Sequence, residues 1–186
     1  MAEQPPPKKR ARLPSKGWAS VNGVDADGTR YKSAEELWDK EKTKGLDKWY
    51  CSAIEYWNTV PATVDGTLGG FGDVSPADLM GSGRFLDALA DAGYSTRHGG
   101  LKGRAVDCGA GVGRITAGLL AARFRRVDVV EPVARMMQQA KATLATLGHR
   151  GEFHEVGLES FDAAPGSYDC IWIQVTGGVW WVCMQV

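Results

Sequence analysis

The chain has 186 residues, of which 22 are Lys or Arg and 22 are Asp or Glu, so at neutral pH it presents no overall field to attract nucleic acid or an acidic membrane. Its four cysteines, Cys51, Cys108, Cys170 and Cys183, show no CxxC spacing and are not grouped with His98, His149 or His154. Neither a disulfide framework nor a metal site is indicated, and a reducing compartment is implied.

The chain begins with residues 1–30, which read as a disordered basic tail. Lys8, Lys9, Arg10 and Arg12 lie between Pro5-Pro6-Pro7 and Pro14, in a stretch too rich in proline and too poor in apolar residues to fold. An exposed, extended basic run is what a nuclear import receptor reads. A plain solvated tail has the same composition, so both readings stand. The start also lacks the apolar core of a signal peptide, and no apolar run approaches the roughly 20 residues of a bilayer span. The expectation is a cytoplasmic or nuclear protein with no membrane and no direct nucleic-acid partner.

Residues 31–100 read as helices and loops. Ser33 followed by Glu36 is a capping box and predicts a helix ending near Gly45. Asp47 can cap a second helix, whose Trp49, Ala53, Ile54 and Trp57 recur at helical spacing until Pro61 ends it. VDGTLGGFG, residues 64–72, has no periodicity and enough glycine to read as a loop that turns tightly or admits a close neighbour. Ser75-Pro76 then restarts a helix in the order of cap and first turn, with Phe85, Leu86 and Leu89 on its apolar face.

Residues 101–174 alternate strand and helix. Strands are predicted over 104–108, 127–130, 153–156 and 168–174, and a helix over 114–124. The stripe of Met136, Met137, Ala140, Leu144 and Leu147 predicts a further helix, ending at Gly148. Short apolar strands in β-α-β-α-β-β order imply an α/β doubly wound parallel sheet of about four strands, with helices on both faces and the earlier helices as a cap.

The chemistry is concentrated in VDCGAGVGRIT, residues 106–116. Gly109, Gly111 and Gly113 follow a strand and open a helix, so that backbone amides and the helix end can face a ligand. A dinucleotide fingerprint, GxGxxG, needs glycine where this chain has Arg114, and its strand does not usually carry an acid such as Asp107 before the turn. The spacing therefore argues against a nicotinamide cofactor. Glu131 stands at the end of the second strand, where doubly wound folds place an acid that accepts ribose hydroxyls. The plainer reading is that Glu131, before Pro132, complements a helix N-terminus.

An acid before a GxGxG turn and another after the second strand resemble the S-adenosyl-L-methionine site of class I methyltransferases. YWNTVPATVDGTLGGFG, DCGAGVGRIT, GLESF and YDCIWIQ further resemble the motifs of the eukaryotic α-N-terminal protein methyltransferases, which modify Xaa-Pro-Lys termini. The likeness runs from about residue 49 to residue 174. It implies that Asp107, Gly109, Gly111, Gly113 and Arg114 bind S-adenosyl-L-methionine, with Gly109 and Arg114 holding its methionine end and Arg114 pairing with its carboxylate. Glu131 would take the ribose, although the family more often has Asp there, and Leu158 and Glu159 would flank the adenine. Gln174 would line the methyl-donor side. Trp57, Leu68, Gly69 and Gly70 would wall the groove for the substrate's first residues, although an aromatic such as Trp57 on an amphipathic helix is also an ordinary core residue.

The resemblance stops after Gln174, and residues 175–186 match nothing in it. All of these residues except Thr176, Met184 and Gln185 have codons that open with two bases drawn from G and T, and valine codons open with GT, as most introns do. The expectation is a translated intron or a misplaced gene boundary, which sequencing the transcript across Gln174 would decide. The resemblance places the residues that deprotonate the substrate amine in the segment after Gln174. It therefore implies a fold of methyltransferase type with little or no transfer by this chain alone, its fourth strand an edge covered at best by the VWWV of the tail.

Overall fold

The computed structural model describes residues 23–24, 28–92, 103–174 and 181–183. The basic run at residues 8–12, the end of the cap region at 93–102 and most of the tail after 174 lie outside the described residues. The chain divides into two compact units, residues 1–51 and 52–186. The first holds the two-residue strands β1 (Gly23–Val24) and β2 (Arg30–Tyr31), paired antiparallel, and α1 (Ala34–Lys44). Ser33 caps α1 by accepting the Glu36 amide, and Glu36 in turn accepts from the Lys32 amide at 2.7 Å. Gly45 ends the helix with φ +94°.

The next helix, α2 (Leu46–Thr59), begins one residue before the Asp47 that the sequence marks as its cap. Residues 64–72 are more ordered than a plain loop. Thr63 caps a single turn, α3 (Val64–Thr67), and the Asp65 carboxylate accepts the Gly72 amide at 3.0 Å while its carbonyl accepts the Gly70 amide. A 3-10 turn (Gly72–Val74) leads into α4 (Ser75–Asp91). Ser75 is the first helical residue and not the cap, and its hydroxyl is used elsewhere.

The sheet is built from β3 (Arg104–Cys108), β4 (Arg126–Val130), β5 (Phe153–His154), β6 (Cys170–Gln174) and β7 (Trp181–Cys183), in spatial order β5-β4-β3-β6-β7. The first four are mutually parallel, and β7 runs antiparallel along β6. Between them lie α5 (Arg114–Gly118) and α6 (Ala134–Ala145). The helix expected over 114–124 breaks at Leu119 and continues as a 3-10 turn, Leu120–Ala122.

Ala105, Val127, Cys170 and Trp172 point to one face, where Leu86 of α4 and Ile115, Leu119, Leu120 and Phe124 cover them. Val129, on the same face of β4, packs with Met137 and Leu144 of α6. Two right-handed crossovers that step the same way along a sheet must put α5 and α6 on the same side. The opposite face, Val106, Cys108 and Val130, is covered by Val156, Phe161 and Tyr168. Helices on both faces were expected. Among the described residues the second face is covered by side chains of the β5–β6 connection, which contains no helix.

Candidate cofactor site

β3 carries Asp107 and β4 carries Glu131 to the same end of the sheet, and the glycine turn joins them. Asp107 is 2% exposed, and the Thr116 hydroxyl donates to its Oδ2 at 2.6 Å. Burial pushes this carboxyl up to about 6, against the pull of the Thr116 bond. Glu131 is also buried. Its Oε2 accepts the Gly111 amide at 2.8 Å, and its Oε1 accepts the Val133 amide at 2.9 Å at the start of α6. Burial raises its carboxyl as well, opposed by the two amides. The plainer reading of Glu131 is met, because the carboxylate secures the entry to α6, and it holds the glycine turn as well. Each oxygen keeps a further lone pair for a ligand hydroxyl.

The glycine turn differs from the expected amide cradle. The Gly109 and Ala110 amides both donate to the Val130 carbonyl, Gly111 donates to Glu131 and Gly113 donates to Ala110. What the turn offers a ligand is bare backbone. Gly109 is exposed with φ +70°, and a Cβ placed there would meet nothing within 4 Å. Gly113, with φ +78°, is glycine for a packing reason, since a Cβ would sit 3.2 Å from the Ala140 Cβ. With those four amides turned inward, Arg114 is the side chain beside the turn that has donors to offer a ligand anion.

The Arg114 side chain is 9% exposed. Its Nη1 donates to Asp78 Oδ2 at 2.7 Å and to Ser75 Oγ at 3.3 Å. Nε and Nη2 make no hydrogen bond to the described residues, which leaves part of the guanidinium fork for a carboxylate. Gln174, at the end of β6, donates from Nε2 to both Asp78 oxygens at 2.8 and 2.9 Å and accepts from Trp172 Nε1 at 3.1 Å. Leu158 and Glu159 are exposed, in the turn that follows β5. Glu159 folds back over Gly157, where a Cβ would lie 2.2 Å from its carboxylate oxygens. The unused donors of Arg114 suit a ligand carboxylate, and the remaining lone pairs of Glu131 suit ligand hydroxyls.

Trp57 is half-buried against the cluster of Val112, Val133 and Met136, in the layer beside the glycine turn, with the Tyr56 ring edge-on at 5.3 Å. Leu68 is half-buried, and Gly69 and Gly70 are exposed with φ +63° and +88°. A cleft of about 560 Å³ runs between Thr63, Ser75, Leu79, Val112, Arg114 and Gln139. Ser75, Asp78 and Trp172 are contacts that sequence reasoning missed. No sequence signal singles out Asp78, whose partners are 36 and 96 residues away.

A family model described as AdoMet dependent proline di-methyltransferase matches residues 45–181, well over half of the chain. The chain belongs to this family. Members of it use S-adenosyl-L-methionine, and the four parallel strands found here are those of a class I methyltransferase sheet. Alpha N-terminal protein methyltransferase 1 of Arabidopsis thaliana is 40% identical over 163 residues, covering 83% of this chain and 59% of the relative. N-terminal Xaa-Pro-Lys N-methyltransferase 1 of Xenopus tropicalis is 44% identical over 128 residues, covering 68% and 56%. A solved SAM-dependent methyltransferase from Leishmania major superposes with a TM-score of 0.72 at 40% identity, covering 92% of this chain and 65% of that one. The chain thus spans a little over half the length of the curated relatives it matches.

Proposed function

We propose that this chain carries the cofactor half of an S-adenosyl-L-methionine-dependent methyltransferase acting on protein N-terminal α-amines of Xaa-Pro-Lys type. The observation that supports it best is the glycine turn whose amides face inward while Arg114 stands beside it with unused donors. Such a site suits a single carboxylate better than a pyrophosphate. Arg114 and Gly109 would hold the methionine end, Asp107 and Gly111 would shape the turn, and Glu131 would accept the ribose. Leu158 and Glu159 would flank the adenine. Bound there, the cofactor supplies an electrophilic methyl group on a sulfonium. Trp57, Leu68, Gly69 and Gly70 would face the substrate's first residues, and the acceptor amine, with a pKa of roughly 7.7–8.0, must be neutral to react.

A synthetic peptide beginning Ser-Pro-Lys, incubated with the chain and labelled cofactor, tests the transfer. Label in the α-amine supports the activity and would overturn the expectation of little or no transfer by this chain alone. Cofactor binding without label supports a second reading, that of a binding module without catalysis. Absence of both removes the cofactor reading. Glu131→Gln is expected to weaken S-adenosylhomocysteine binding while the domain stays folded, because the amide keeps one acceptor for Gly111 or Val133 but loses the charge. The loss should be about 1.5–3 kcal/mol if a ribose hydroxyl bonds the carboxylate. A shifted melt with unchanged affinity would assign Glu131 to structure alone. We also propose that Lys8, Lys9, Arg10 and Arg12 serve an import receptor, so a fluorescent fusion with all four changed to alanine should lose nuclear enrichment. Unchanged localisation would remove that assignment.

A further inference from the structure

Three residues from separate parts of the chain meet at one carboxylate. Asp78, in the first turn of α4, accepts Arg114 Nη1 at 2.7 Å on Oδ2 and Gln174 Nε2 at 2.8 and 2.9 Å on its two oxygens. Gln174 in turn accepts from the Trp172 indole at 3.1 Å, and Trp172 is 2% exposed in the core. The direction of the Gln174 amide is therefore fixed at both ends, with Nε2 committed to Asp78 and a carbonyl lone pair left for another donor. Arg114 is fixed too, since its Nη1 is held between Asp78 and Ser75. α4 thereby clamps the far ends of the glycine turn and of β6, which pair with no common neighbour in sequence.

We propose that Asp78 is a positioning residue for the amino-acid end of the cofactor, acting through Arg114 and Gln174; the proposal rests on the cofactor reading above. A carboxylate is needed because all its partners are donors. Asparagine would present an NH2 group to Arg114 or to Gln174, forcing one of them to turn away. An alternative is built into the same geometry. Asp78 could merely compete with the cofactor for the guanidinium, in which case removing its charge would tighten binding.

The test is isothermal titration of the full 186-residue chain, wild type and Asp78→Asn, with S-adenosylhomocysteine and with 5′-methylthioadenosine, which lacks the amino-acid end. Asp78→Asn is expected to weaken S-adenosylhomocysteine about tenfold or more, as for a lost charge-assisted bond, and to leave methylthioadenosine within about twofold. In combination with Arg114→Lys the losses should fall well short of additive, because both act on one contact. Equal losses for the two ligands would make Asp78 a fold residue and overturn the proposal. Unchanged or tighter S-adenosylhomocysteine binding would overturn it also. If Asp78→Asn does not fold, Asp78→Glu keeps the charge and displaces it by one methylene; it should show the same ligand-selective loss, and wild-type affinity for both ligands would sink the idea. A wild-type chain that binds neither ligand would remove the cofactor reading itself, a result distinct from failure of the Asp78 role alone.

Discussion

Arg114→Lys is expected to weaken S-adenosylhomocysteine binding by about ten- to a hundredfold, the range of one lost charge-assisted hydrogen bond. The guanidinium does two things at once here. Nη1 holds Asp78 and Ser75, while Nε and Nη2 remain for a carboxylate. A lysine ammonium is a single point with three donors, so it can satisfy Asp78 or the ligand but cannot bridge the two in a planar fork. The charge is kept, and the site stays electrically similar, which makes geometry the quantity under test. The side chain is 9% exposed, so water cannot easily replace the missing contacts. Titration of both proteins at matched salt checks the expectation, with thermal melts alongside. Equal affinities would place Arg114 outside the site and leave its ion pair with Asp78 as a purely structural link between α4 and α5.

Asp107 should make the stability of the domain fall as pH rises from about 4 to about 6. The sign follows from the direction of its shift. Burial lifts the folded-state carboxyl to about 6, against an ordinary value of 3.8, so in that window the folded protein holds a proton that the unfolded chain has released. Stability from this group is therefore full below the unfolded value and is lost as pH climbs through the folded one. The size is about 3 kcal/mol, for a shift of roughly two units at 1.36 kcal/mol each. Other carboxyls slope the opposite way. Burial also pushes Asp128 up, but the Glu152 amide, Tyr168, Arg104 and Arg126 outweigh it and hold this carboxyl below the usual range. The informative quantity is accordingly the difference between wild type and Asp107→Asn, measured by denaturant melts at pH 4 and pH 7. Asparagine can still accept the Thr116 hydroxyl, so the two proteins should be close at pH 4, and the variant should gain relative stability by pH 7. A difference independent of pH would mean that Asp107 ionises in the folded state as readily as in water.

Legibility in the sequence followed the range of the interaction. Ser33 and Glu36 are three residues apart, and the helix they cap starts where the sequence put it. The strand, glycine turn and helix from residue 104 onward, the acid at 131 and the parallel order were readable for the same reason, since period and turn chemistry are local. The resemblance to the N-terminal methyltransferases was legible because TVDGTLGG and DCGAGVGRIT are contiguous strings, and the family match confirms it. Boundaries were harder. The break at Leu119 leaves no mark in the apolar stripe, because Leu119 and Leu120 on either side of it are both buried.

By itself, then, the sequence determined the class of fold, the family, the cofactor and the short motifs that carry them, all of which depend on residues within a few positions of one another. Only the tertiary structure decided how those motifs act on each other. It turned the Gly109, Ala110, Gly111 and Gly113 amides onto the protein's own acceptors and left Arg114 beside them with unused donors. It set Glu131 between the turn and α6. It brought Asp78, in the first turn of α4, to Arg114 at the start of α5 and to Gln174 at the end of β6, across 36 and 96 residues of chain. No local pattern encodes such a contact, because its energy comes from two distant donor side chains converging on one carboxylate only after the sheet and α4 have packed.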